Sequence, residues 1–441
     1  MKRPNILFIL TDQQSRSTMS IDGDGGPRTP HLDALARGGV RFDNAYCTSP
    51  VCGPARAGLM TGTMPHTCGV EFLDRPIRED VPTLGEVFST AGYETAYAGK
   101  WHLPEAYVTG DRMRGFRNLP VPLEGPWWLG THIDDAVVDR AEAFLRQPHD
   151  RPFLLTVSLH NPHDICHWIT EQDRDVLERF NTPGQRPPLP ANFEVDGEEP
   201  DFIRACRQRE HYGGENAWTI NWTERDWRDY LNVYHRLVEH VDERIGRLLA
   251  MLREQGLEED TLVVFTSDHG EGMAAHRWVV KLMLFEETAA VPFLIRWPGR
   301  IPAGIHDTRH LVSGADLLPT LCDYAGMTPP AGVQGRSLRP VIEHPESAGA
   351  EYVVCELQPD TDRPELKGRM LRTKRYKYIA FSHGERPEML FDMERDPGEM
   401  RNLAASADHA TELLRHRRLL ADWLRRTNDA FEQDTMAARH R

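Results

Sequence analysis

A cysteine, a proline and an arginine alternate at positions 52, 54 and 56, within the segment Ser-Pro-Val-Cys-Gly-Pro-Ala-Arg that begins at Ser49. Proline suits the first turn of a helix, where its missing N–H group costs nothing. Cys52 is therefore predicted to lie just before a helix N-terminus, where backbone N–H groups and the helix dipole favour negative charge. Arg56 adds a fixed positive charge one turn later. This segment can hold an anion beside a reactive side chain, although a buried structural cysteine before an ordinary helix has the same pattern.

Polar residues that can bind ligands follow four predicted strands elsewhere in the chain. Residues 5–10 are an unbroken apolar run, which is typical of a strand that is buried on both faces of a parallel sheet, and residues 261–266 are predicted to be another such strand. Ligands of open α/β sheets bind at the carboxyl ends of the strands, so these polar residues are expected at one edge of a common sheet. Individually, an aspartate after a strand is also a helix cap, and a histidine is also an ordinary core or surface residue. The residues are Asp12 and Gln13, Lys100 and His102, His160 and His163, and Asp268 and His269.

The aspartates of this set indicate a site for one divalent cation. Asp12 and Asp268 supply hard carboxylate oxygens, and the Gln13 carbonyl oxygen and a His269 nitrogen complete the ligands. The predominance of oxygen favours Ca²⁺. Mg²⁺ and Mn²⁺ stay open as alternatives, the latter because one ligand is an imidazole.

The cations and the other histidines suit the cleavage of an anionic ester. Arg56, Lys100 and Lys281 can stabilise a tetrahedral oxyanion. His102 and His163 can carry protons near neutral pH. A metal, several cations and a nucleophilic cysteine together fit attack on a sulfate or phosphate ester, a reaction in which charge neutralisation lowers the barrier most.

The elements that would position these residues alternate between strands and helices. Unbroken apolar runs, prolines at helix starts and glycines at helix ends support the assignments. The alternation predicts a doubly wound α/β fold, with a large, mostly parallel central sheet and helices on both faces. Predicted strands cover residues 5–10, 93–98, 153–159, 261–266 and 291–296, and predicted helices cover 30–37, 83–91, 134–147, 227–255 and 315–324, besides the helix at Cys52.

The pattern changes beyond residue 340. Residues 352–357, 370–373 and 376–381 alternate as in an antiparallel sheet, and residues 412–426 are typical of a terminal helix. We therefore predict a catalytic α/β domain over residues 1–340 and a small C-terminal α+β subdomain over residues 341–441.

One stretch of the first domain does not fit the alternation. Residues 182–222 are rich in proline, tryptophan, histidine and charge, and we predict an irregular excursion there. Arg204 and His211 within it are candidates for a substrate-binding wall. An oligomer contact or a packed surface loop is the alternative.

Composition excludes several kinds of protein. The chain has 441 residues, 40% of them hydrophobic, and a net charge of −15, so it is a packed globular protein and a poor candidate for nucleic-acid binding. Its seven cysteines form no CxxC pair, so neither a disulfide framework nor a zinc ribbon is expected. No apolar run reaches membrane-spanning length, and the first strand begins at once. We expect a cytoplasmic protein without membrane contact, or a periplasmic one if a leader is missing here.

Taken together, the motifs resemble the type I sulfatase family of the alkaline-phosphatase-like superfamily. The family signature C-x-P-x-R with a later Thr-Gly corresponds to Cys52, Pro54, Arg56 and Thr61-Gly62. The resemblance covers nearly the whole chain, with its elements in the expected order. The further elements are Gly99-Lys100-Trp101-His102, Asn161-Pro162-His163, Ser267-Asp268-His269-Gly270 with His276, Lys281 and Phe285-Glu286-Glu287, and Leu390-Phe391-Asp392 with Asp396-Pro397-Gly398-Glu399.

The resemblance implies a mechanism that depends on a modified cysteine. In this family the signature cysteine becomes Cα-formylglycine, whose hydrate presents one hydroxyl for attack on sulfur and a second for expelling sulfate. Cys52 would be this modified nucleophile and a metal ligand, with Arg56 and Lys100 orienting and stabilising it. A formylglycine-generating enzyme would act on the chain during maturation. A hydrated aldehyde also suits a hard cation better than a thiol does.

The resemblance implies further roles around the nucleophile. Asp268 would help to deprotonate the attacking hydroxyl, and His102 would accept the proton that breaks the sulfo-enzyme intermediate. His163 and Lys281 would bind the sulfate group and help to protonate the leaving alcohol. Additional candidates for contact with the substrate are His276, His167 and Trp168.

Two positions depart from the family pattern. Many members carry paired aspartates where this chain has Asp12-Gln13, so one negative ligand is lost. The Asp-Gln pair also occurs in formylglycine-dependent phosphonate monoester and phosphodiester hydrolases of the superfamily. Ala55 replaces the usual serine of the signature, but Pro54 and Arg56 are intact, so conversion is still expected.

These observations leave three functions open. The first is hydrolysis of a small organic sulfate ester, with a sulfated sugar as the expected substrate. The second is hydrolysis of a phosphonate monoester or phosphodiester by the same site. The third is a catalytically silent binding protein in which Cys52 stays unmodified. The sequence does not fix the oligomeric state, and a homo-oligomer is compatible with it.

Overall fold

The computed structural model describes residues 3–23, 25–104, 113–122, 125–182, 184–195, 197, 199–208, 215–360 and 362–431. An eight-stranded sheet forms the centre of the molecule. Its strands are β1 (Asn5–Asp12), β2 (Val40–Tyr46), β3 (Glu94–Gly99), β4 (Arg117–Asn118), β5 (Phe153–Pro162), β6 (Thr261–Ser267), β7 (Phe293–Arg296) and β8 (Ile305–Ser313). Their order is β4-β3-β5-β1-β6-β7-β2-β8. β7 is antiparallel to both of its neighbours, and the other neighbouring pairs are parallel, which confirms the predicted mostly parallel sheet.

Helices cover both faces of this sheet, as the alternation predicts. In β1, Phe8 and Leu10 pack into one hydrophobic cluster and Leu7 and Ile9 into another, because successive side chains of a strand point to opposite faces. Each such buried side chain contributes roughly 2 kcal/mol. The helices are α1 (Pro30–Arg37), α2 (Cys52–Thr61), α3 (Pro65–Cys68), α4 (Leu84–Thr90), α5 (Gly130–Leu145), α6 (Ile165–Ile169), α7 (Arg174–Leu177), α8 (Asp201–Arg207), α9 (Glu215–Trp218), α10 (Glu224–Glu254), α11 (Glu286–Ala289), α12 (Leu317–Tyr324), α13 (Arg339–Glu343) and α14 (Ala410–Thr427).

The longest helix, α10, begins three residues earlier than predicted. Thr223 accepts a hydrogen bond from the Asp226 backbone N–H, and the Asp226 carboxylate accepts one from the Thr223 N–H. This capping box satisfies backbone donors that a helix start leaves free. None of the helices in the described part of the chain has both the length and the apolar composition needed to span a bilayer.

The C-terminal part contains a separate antiparallel sheet. Its strands are β9 (Tyr352–Leu357), β10 (Gly368–Thr373), β11 (Tyr376–Phe381) and β12 (Glu388–Asp392), in the order β12-β11-β10-β9. Val354 and Leu371 pack against α14, whereas Cys355 and Met370 pack into a cluster of the main sheet. The antiparallel sheet confirms the predicted C-terminal architecture, and the boundary at residue 340 stays a prediction.

The predicted excursion holds two short helices, α8 and α9, in its described residues. It is also anchored to the rest of the molecule, since Phe202 of α8 stacks on Phe381 with ring centroids 4.4 Å apart. Trp222 lies 5.0 Å from the ring of Trp227 at the start of α10. His211 lies outside the described residues, and its predicted role stays a prediction.

Candidate active site

Four neighbouring parallel strands, β3, β5, β1 and β6, bring their carboxyl ends to one edge of the sheet. Asp12 ends β1, Lys100 follows β3, and Asp268 follows β6. The Lys100 Nζ lies 2.8 Å from Asp12 Oδ2. Arg56 of α2 joins the two aspartates, with Nη2 2.8 Å from Asp12 Oδ2 and Nε 2.9 Å from Asp268 Oδ2. The structure therefore assembles residues that lie more than 250 positions apart in the sequence.

Two glycines allow the backbone to make these turns. Gly99 has a φ of 98°, and a Cβ atom there would lie 2.0 Å from the Ser158 carbonyl oxygen. A Cβ at Gly270 would lie 2.0 Å from the Glu287 carbonyl oxygen. A side chain at either position would displace the backbone that carries Lys100 or His269, because real Cβ contacts are never this short.

Cys52 is the first residue of α2, whose ten residues are all buried. The predicted position just outside the helix is therefore corrected by one residue, with Val51 as the extended residue that precedes the helix. The Cys52 Sγ lies 3.1 Å from His269 Nε2, 3.1 Å from Lys281 Nζ and 3.8 Å from Asp12 Oδ1. The cysteine thus faces the strand ends and is not packed among apolar side chains alone.

The residues predicted as metal ligands fit a divalent cation. Ligand atoms of Asp12, Cys52, Asp268 and His269 all lie within 4.8 Å of one another, and the four residues are buried. His269 Nδ1 lies 2.8 Å from the Gly270 carbonyl oxygen, so Nδ1 carries the hydrogen and the Nε2 lone pair faces Cys52 Sγ in the neutral imidazole. Two carboxylates and an imidazole suit Ca²⁺, Mg²⁺ or Mn²⁺, and the thiol is the one soft atom of the set.

Gln13 presents its side-chain oxygen to the same site. Its backbone has a φ of 71°, and its N–H donates to Asp268 Oδ1 at 3.0 Å. Its Oε1 accepts from Lys281 Nζ at 3.1 Å, the same ammonium that contacts Cys52 Sγ. The Tyr234 hydroxyl donates to the Gln13 carbonyl oxygen at 2.7 Å. The left-handed backbone is held by contacts with β6 and α10, which sequence patterns do not show.

The two site aspartates have opposite pKa shifts. Burial acts to raise the pKa of Asp12, but Lys100, His163, Arg56 and Lys281 hold it well below its usual range. Burial and the neighbouring Asp12 charge raise the pKa of Asp268, against the attraction of His269 and Arg56. Asp12 is therefore the firmly ionised carboxylate of the pair.

The pKa of Cys52 is lowered from its ordinary value by the surrounding cations. Burial and the Asp12 charge act to raise it, and Lys281, Lys100 and His269 outweigh them. The same cations would stabilise any oxyanion that formed at this position.

Two histidines of the site, His102 and His163, are kept neutral. Burial and the charge of Lys100 lower the pKa of His102 and of His163 well below the usual range. Lys281 lowers the pKa of both groups further. A neutral imidazole can accept a proton, which agrees with the role expected for His102.

Arg56 donates to four groups, Asp12, Asp268, the Lys100 carbonyl and Ser158, and the last of these partners was not predicted. Nη1 donates to the Lys100 carbonyl oxygen at 2.7 Å and to Ser158 Oγ at 2.8 Å. Ser158 lies within the apolar run of β5, so its pattern indicated only a strand residue. The planar guanidinium thereby fixes α2 against three strand ends at once.

The end of β5, which carries His163, is held by reciprocal bonds with α5. The Asp164 carboxylate accepts from the Gly130 and Thr131 N–H groups at 2.7 Å each. The Asp134 carboxylate accepts from the His160 and Asn161 N–H groups at 2.7 and 3.1 Å. His160 is a candidate site residue in the sequence. In the structure its backbone N–H helps to hold the end of β5 against α5.

The outer candidates divide into two kinds. The His167 ring lies 6.1 Å from that of His163, and its Nδ1 lies 3.5 Å from Asp173 Oδ2, at the rim of the site. Trp168, in contrast, is fully buried and packs on Trp222, because its indole completes the core under α10. The expectation that Trp168 faces substrate is corrected accordingly.

Two further candidates lie elsewhere. His276 is 4% exposed and stacks on Phe285 with ring centroids 4.1 Å apart, so it belongs to a buried contact near Glu287 and Glu399. Arg204 is exposed on α8 and pairs with Asp201 on the same helix. The substrate contacts of His276 and Arg204 stay predictions.

Comparison with known proteins identifies the family. Residues 4–327 match the family described as Sulfatase, and residues 274–422 match the one described as N-sulphoglucosamine sulphohydrolase, C-terminal. The Delta 4,5-hexuronate-2-O-sulfatase of Bacteroides thetaiotaomicron is 33% identical to this chain, over 98% of the chain and 90% of the relative.

Solved structures give the same result. The structure of a 2-O GAG sulfatase has a TM-score of 0.86 at 31% identity, over 98% of this chain and 94% of that one. The phosphonate monoester hydrolase of Agrobacterium radiobacter has a TM-score of 0.79 at 24% identity, over 96% of each chain, and this likeness shows the fold alone. The chain therefore belongs to the sulfatase family of the alkaline-phosphatase-like superfamily, and it is a sulfatase.

Proposed function

We propose that this sulfatase removes sulfate from a sulfated carbohydrate, with a formylglycine made from Cys52 and one divalent cation. The observation that carries the proposal is the position of Cys52 Sγ, 3.1 Å from both His269 Nε2 and Lys281 Nζ, within a cluster of buried cation ligands. A thiol is a poor ligand for the hard cations that the carboxylates select, whereas a hydrated aldehyde offers oxygen. The carbohydrate substrate is inferred from the relative that is named as a hexuronate 2-O-sulfatase.

Asp12, Gln13, Asp268 and His269 would hold the cation, and Ca²⁺ is our first choice because oxygen ligands predominate. Bound there, the cation would act as a Lewis acid on an ester oxygen and favour the deprotonated form of the nucleophilic hydroxyl. Mg²⁺ and Mn²⁺ are the alternatives.

The chain's own residues would bind and orient the sulfate group. Lys100 and Lys281 place ammonium groups beside the nucleophile position, where they would neutralise charge on the sulfate oxygens. Arg56 would keep Asp12 and Asp268 aligned through its ion pairs with both.

The two neutral histidines would divide the proton transfers. His102 would accept the proton that releases sulfate from the enzyme. His163 would donate to the leaving alcohol, and an anionic sulfate group bound nearby would raise its pKa toward the range in which it can do so. His167, 6.1 Å from His163 in ring-centroid separation, would line the sugar side of the site.

A second candidate function is favoured by one residue. Gln13 replaces a carboxylate with a neutral ligand, so the site carries less negative charge toward a substrate. This would suit a phosphonate monoester or phosphodiester as well as a sulfate ester. We rank it second, because the relative at 33% identity is a sulfatase.

Matched substrates distinguish the two functions. The protein would be produced together with a formylglycine-generating enzyme, and kcat/KM would be measured with an aryl sulfate and the corresponding aryl phosphonate, and with 2-O- and 6-O-sulfated sugars. We expect a preference for sulfate and measurable release from at least one sugar. A large preference for the phosphonate would overturn the proposal, and a Cys52 peptide that carries only the free thiol in this preparation, without activity on any substrate, would favour a silent binding protein.

A further inference from the structure

Glu271 is a fully buried carboxylate in contact with Gln13, one of the predicted cation ligands. It follows Gly270 and lies opposite Gln13, which is 258 positions away in the sequence. Its Oε2 accepts from Gln13 Nε2 at 2.5 Å. Its Oε1 accepts from the Tyr230 hydroxyl and from the Val280 backbone N–H. In all three contacts Glu271 is the acceptor.

These contacts fix which way the Gln13 amide points. The Nε2 group must donate, and it faces the Glu271 oxygen. The Oε1 atom must accept, and it faces Lys281 Nζ at 3.1 Å on the side of Cys52. A rotation of the amide by 180° would place two acceptors together at Glu271 and two donors together at Lys281. The observed orientation is therefore the one in which both ends of the amide are satisfied.

We propose that Glu271 is a positioning residue that holds the Gln13 amide oxygen toward the cation site. The inference deepens the proposed function, because it rests on Gln13 as a cation ligand. A neutral amide can serve as a ligand next to a buried carboxylate, since it offers an oxygen to the cation and an N–H to Glu271. A carboxylate at position 13 would instead place a second negative oxygen against Glu271. Glu271 thus determines which kind of ligand residue 13 can be.

Glutamine at position 271 cannot replace glutamate here. An amide nitrogen in place of Oε2 would face the Gln13 Nε2 donor. An amide nitrogen in place of Oε1 would face the Val280 N–H, which can only donate. With glutamate at position 13, however, the amide of a glutamine at 271 finds an acceptor on one side and donors on the other.

The natural chain and three variants test this inference: Glu271→Gln, Gln13→Glu, and the double variant. Ca²⁺ affinity would be measured on metal-free protein by competition with a chelator, with no substrate present. In the natural background, Glu271→Gln should weaken Ca²⁺ binding by about 10- to 100-fold. In the Gln13→Glu background, the same change should strengthen it. The double variant has the same total charge as the natural chain. An effect of Glu271→Gln on Ca²⁺ affinity that is opposite in the two backgrounds therefore reports whether donors face acceptors between positions 13 and 271.

Tyr230→Phe is the matched control, because it removes one donor to Glu271 and leaves the Gln13 contact in place. Circular dichroism and thermal unfolding would confirm that each variant is folded. A Glu271→Gln effect of the same sign in both backgrounds would overturn the inference, as would an equal loss in Tyr230→Phe. Absence of Ca²⁺ binding by the natural chain would instead contradict the proposed metal. Activity does not enter the measurement, so failure of the substrate proposal would leave its result unchanged.

Discussion

Arg56 and Arg369 are both fully buried guanidinium groups, but they meet carboxylates in different ways. Arg369 forms a bidentate pair with one carboxylate, with Nε 2.7 Å and Nη2 2.9 Å from the oxygens of Asp429, and Glu356 Oε2 lies farther away, 3.8 Å from Nη2. Arg56 is divided between two carboxylates, Asp12 and Asp268, which end different strands. The pair of Arg369 and Asp429 links β10 of the C-terminal sheet to the residues that follow α14. The arrangement of Arg56 leaves the other oxygens of both its aspartates directed into a shared site.

The two buried arginines are expected to contribute to different properties of the protein. The bidentate pair of Arg369 satisfies both partners within the fold, so its removal should cost stability. The site of Arg56 collects further cations, Lys100 and Lys281, around a reactive cysteine. In the proposed function these charges bind an incoming anion, so their removal should cost activity. Variants of the two regions should therefore respond in different measurements.

The largest effect on the catalytic side is expected for Cys52→Ala. Without the cysteine no formylglycine can form, so sulfate release should fall below detection, while the unfolding temperature changes little because one sulfur atom is lost. Cys206→Ala, at another buried cysteine, is the matched control and should keep its turnover. Residual turnover by pure Cys52→Ala above that of the buffer would disprove a nucleophile at this position.

Lys281→Met should lower kcat/KM by about 10²- to 10³-fold, the effect of removing one preorganised oxyanion donor. The free energy of unfolding should stay within about 1 kcal/mol or rise, because functional sites hold like charges at a cost in stability. The exposed Lys374→Met is the control for loss of a lysine charge. A variant that keeps natural kcat/KM would remove Lys281 from the sulfate-binding group.

Arg369→Met should have the opposite profile. It leaves Asp429 buried without its guanidinium partner, so the free energy of unfolding should fall by about 3–5 kcal/mol. Turnover per folded molecule should not change. The double variant Arg369→Met with Asp429→Leu should recover most of the lost stability. If Arg369→Met instead lost turnover at natural stability, the division between the two regions would be wrong.

The smallest expected effect concerns His276, where burial lowers the pKa to about 4. The unfolded chain, with an ordinary histidine pKa near 6.5, binds more protons between pH 4 and 6.5, so this contribution to stability is complete above pH 6.5 and is lost as the pH falls toward 4. Between pH 6.5 and pH 4, the free energy of unfolding of the His276→Gln variant should fall by up to about 3 kcal/mol less than that of the natural chain. Chemical unfolding across this pH range measures the difference. The variant His344→Gln, at an exposed histidine, is the control. Its free energy of unfolding should depend on pH in the same way as that of the natural chain. Identical curves for His276→Gln and the natural chain would contradict a buried neutral imidazole.

The strands that carry the site could be predicted from the sequence because burial on both faces leaves an unbroken apolar run. β1, β5 and β6 have this pattern, and the polar residues after them mark the functional edge. β2 and β8 were not predicted. β8 alternates between exposed and buried residues at its start and contains Asp307 and His310, so it lacks the apolar run of a central strand.

Individual side-chain roles depended more on tertiary contacts. Glu271 could not be assigned from the sequence, because its partner Gln13 belongs to a different strand end. Trp168 was assigned to the substrate side because tryptophan after a strand end suits sugar binding, whereas its packing on Trp222 places it in the core. Residue types predicted the chemistry of the site, and long-range packing decided which residues reach it.

The most direct test is mass spectrometry of the peptide that contains Cys52, from protein produced with and without a formylglycine-generating enzyme. Sulfate release would be measured on the same preparations. We predict an aldehyde in place of the thiol in the first preparation only, with activity proportional to the converted fraction. Full activity in protein whose peptide carries only the free thiol would contradict Cys52 as the precursor of the nucleophile.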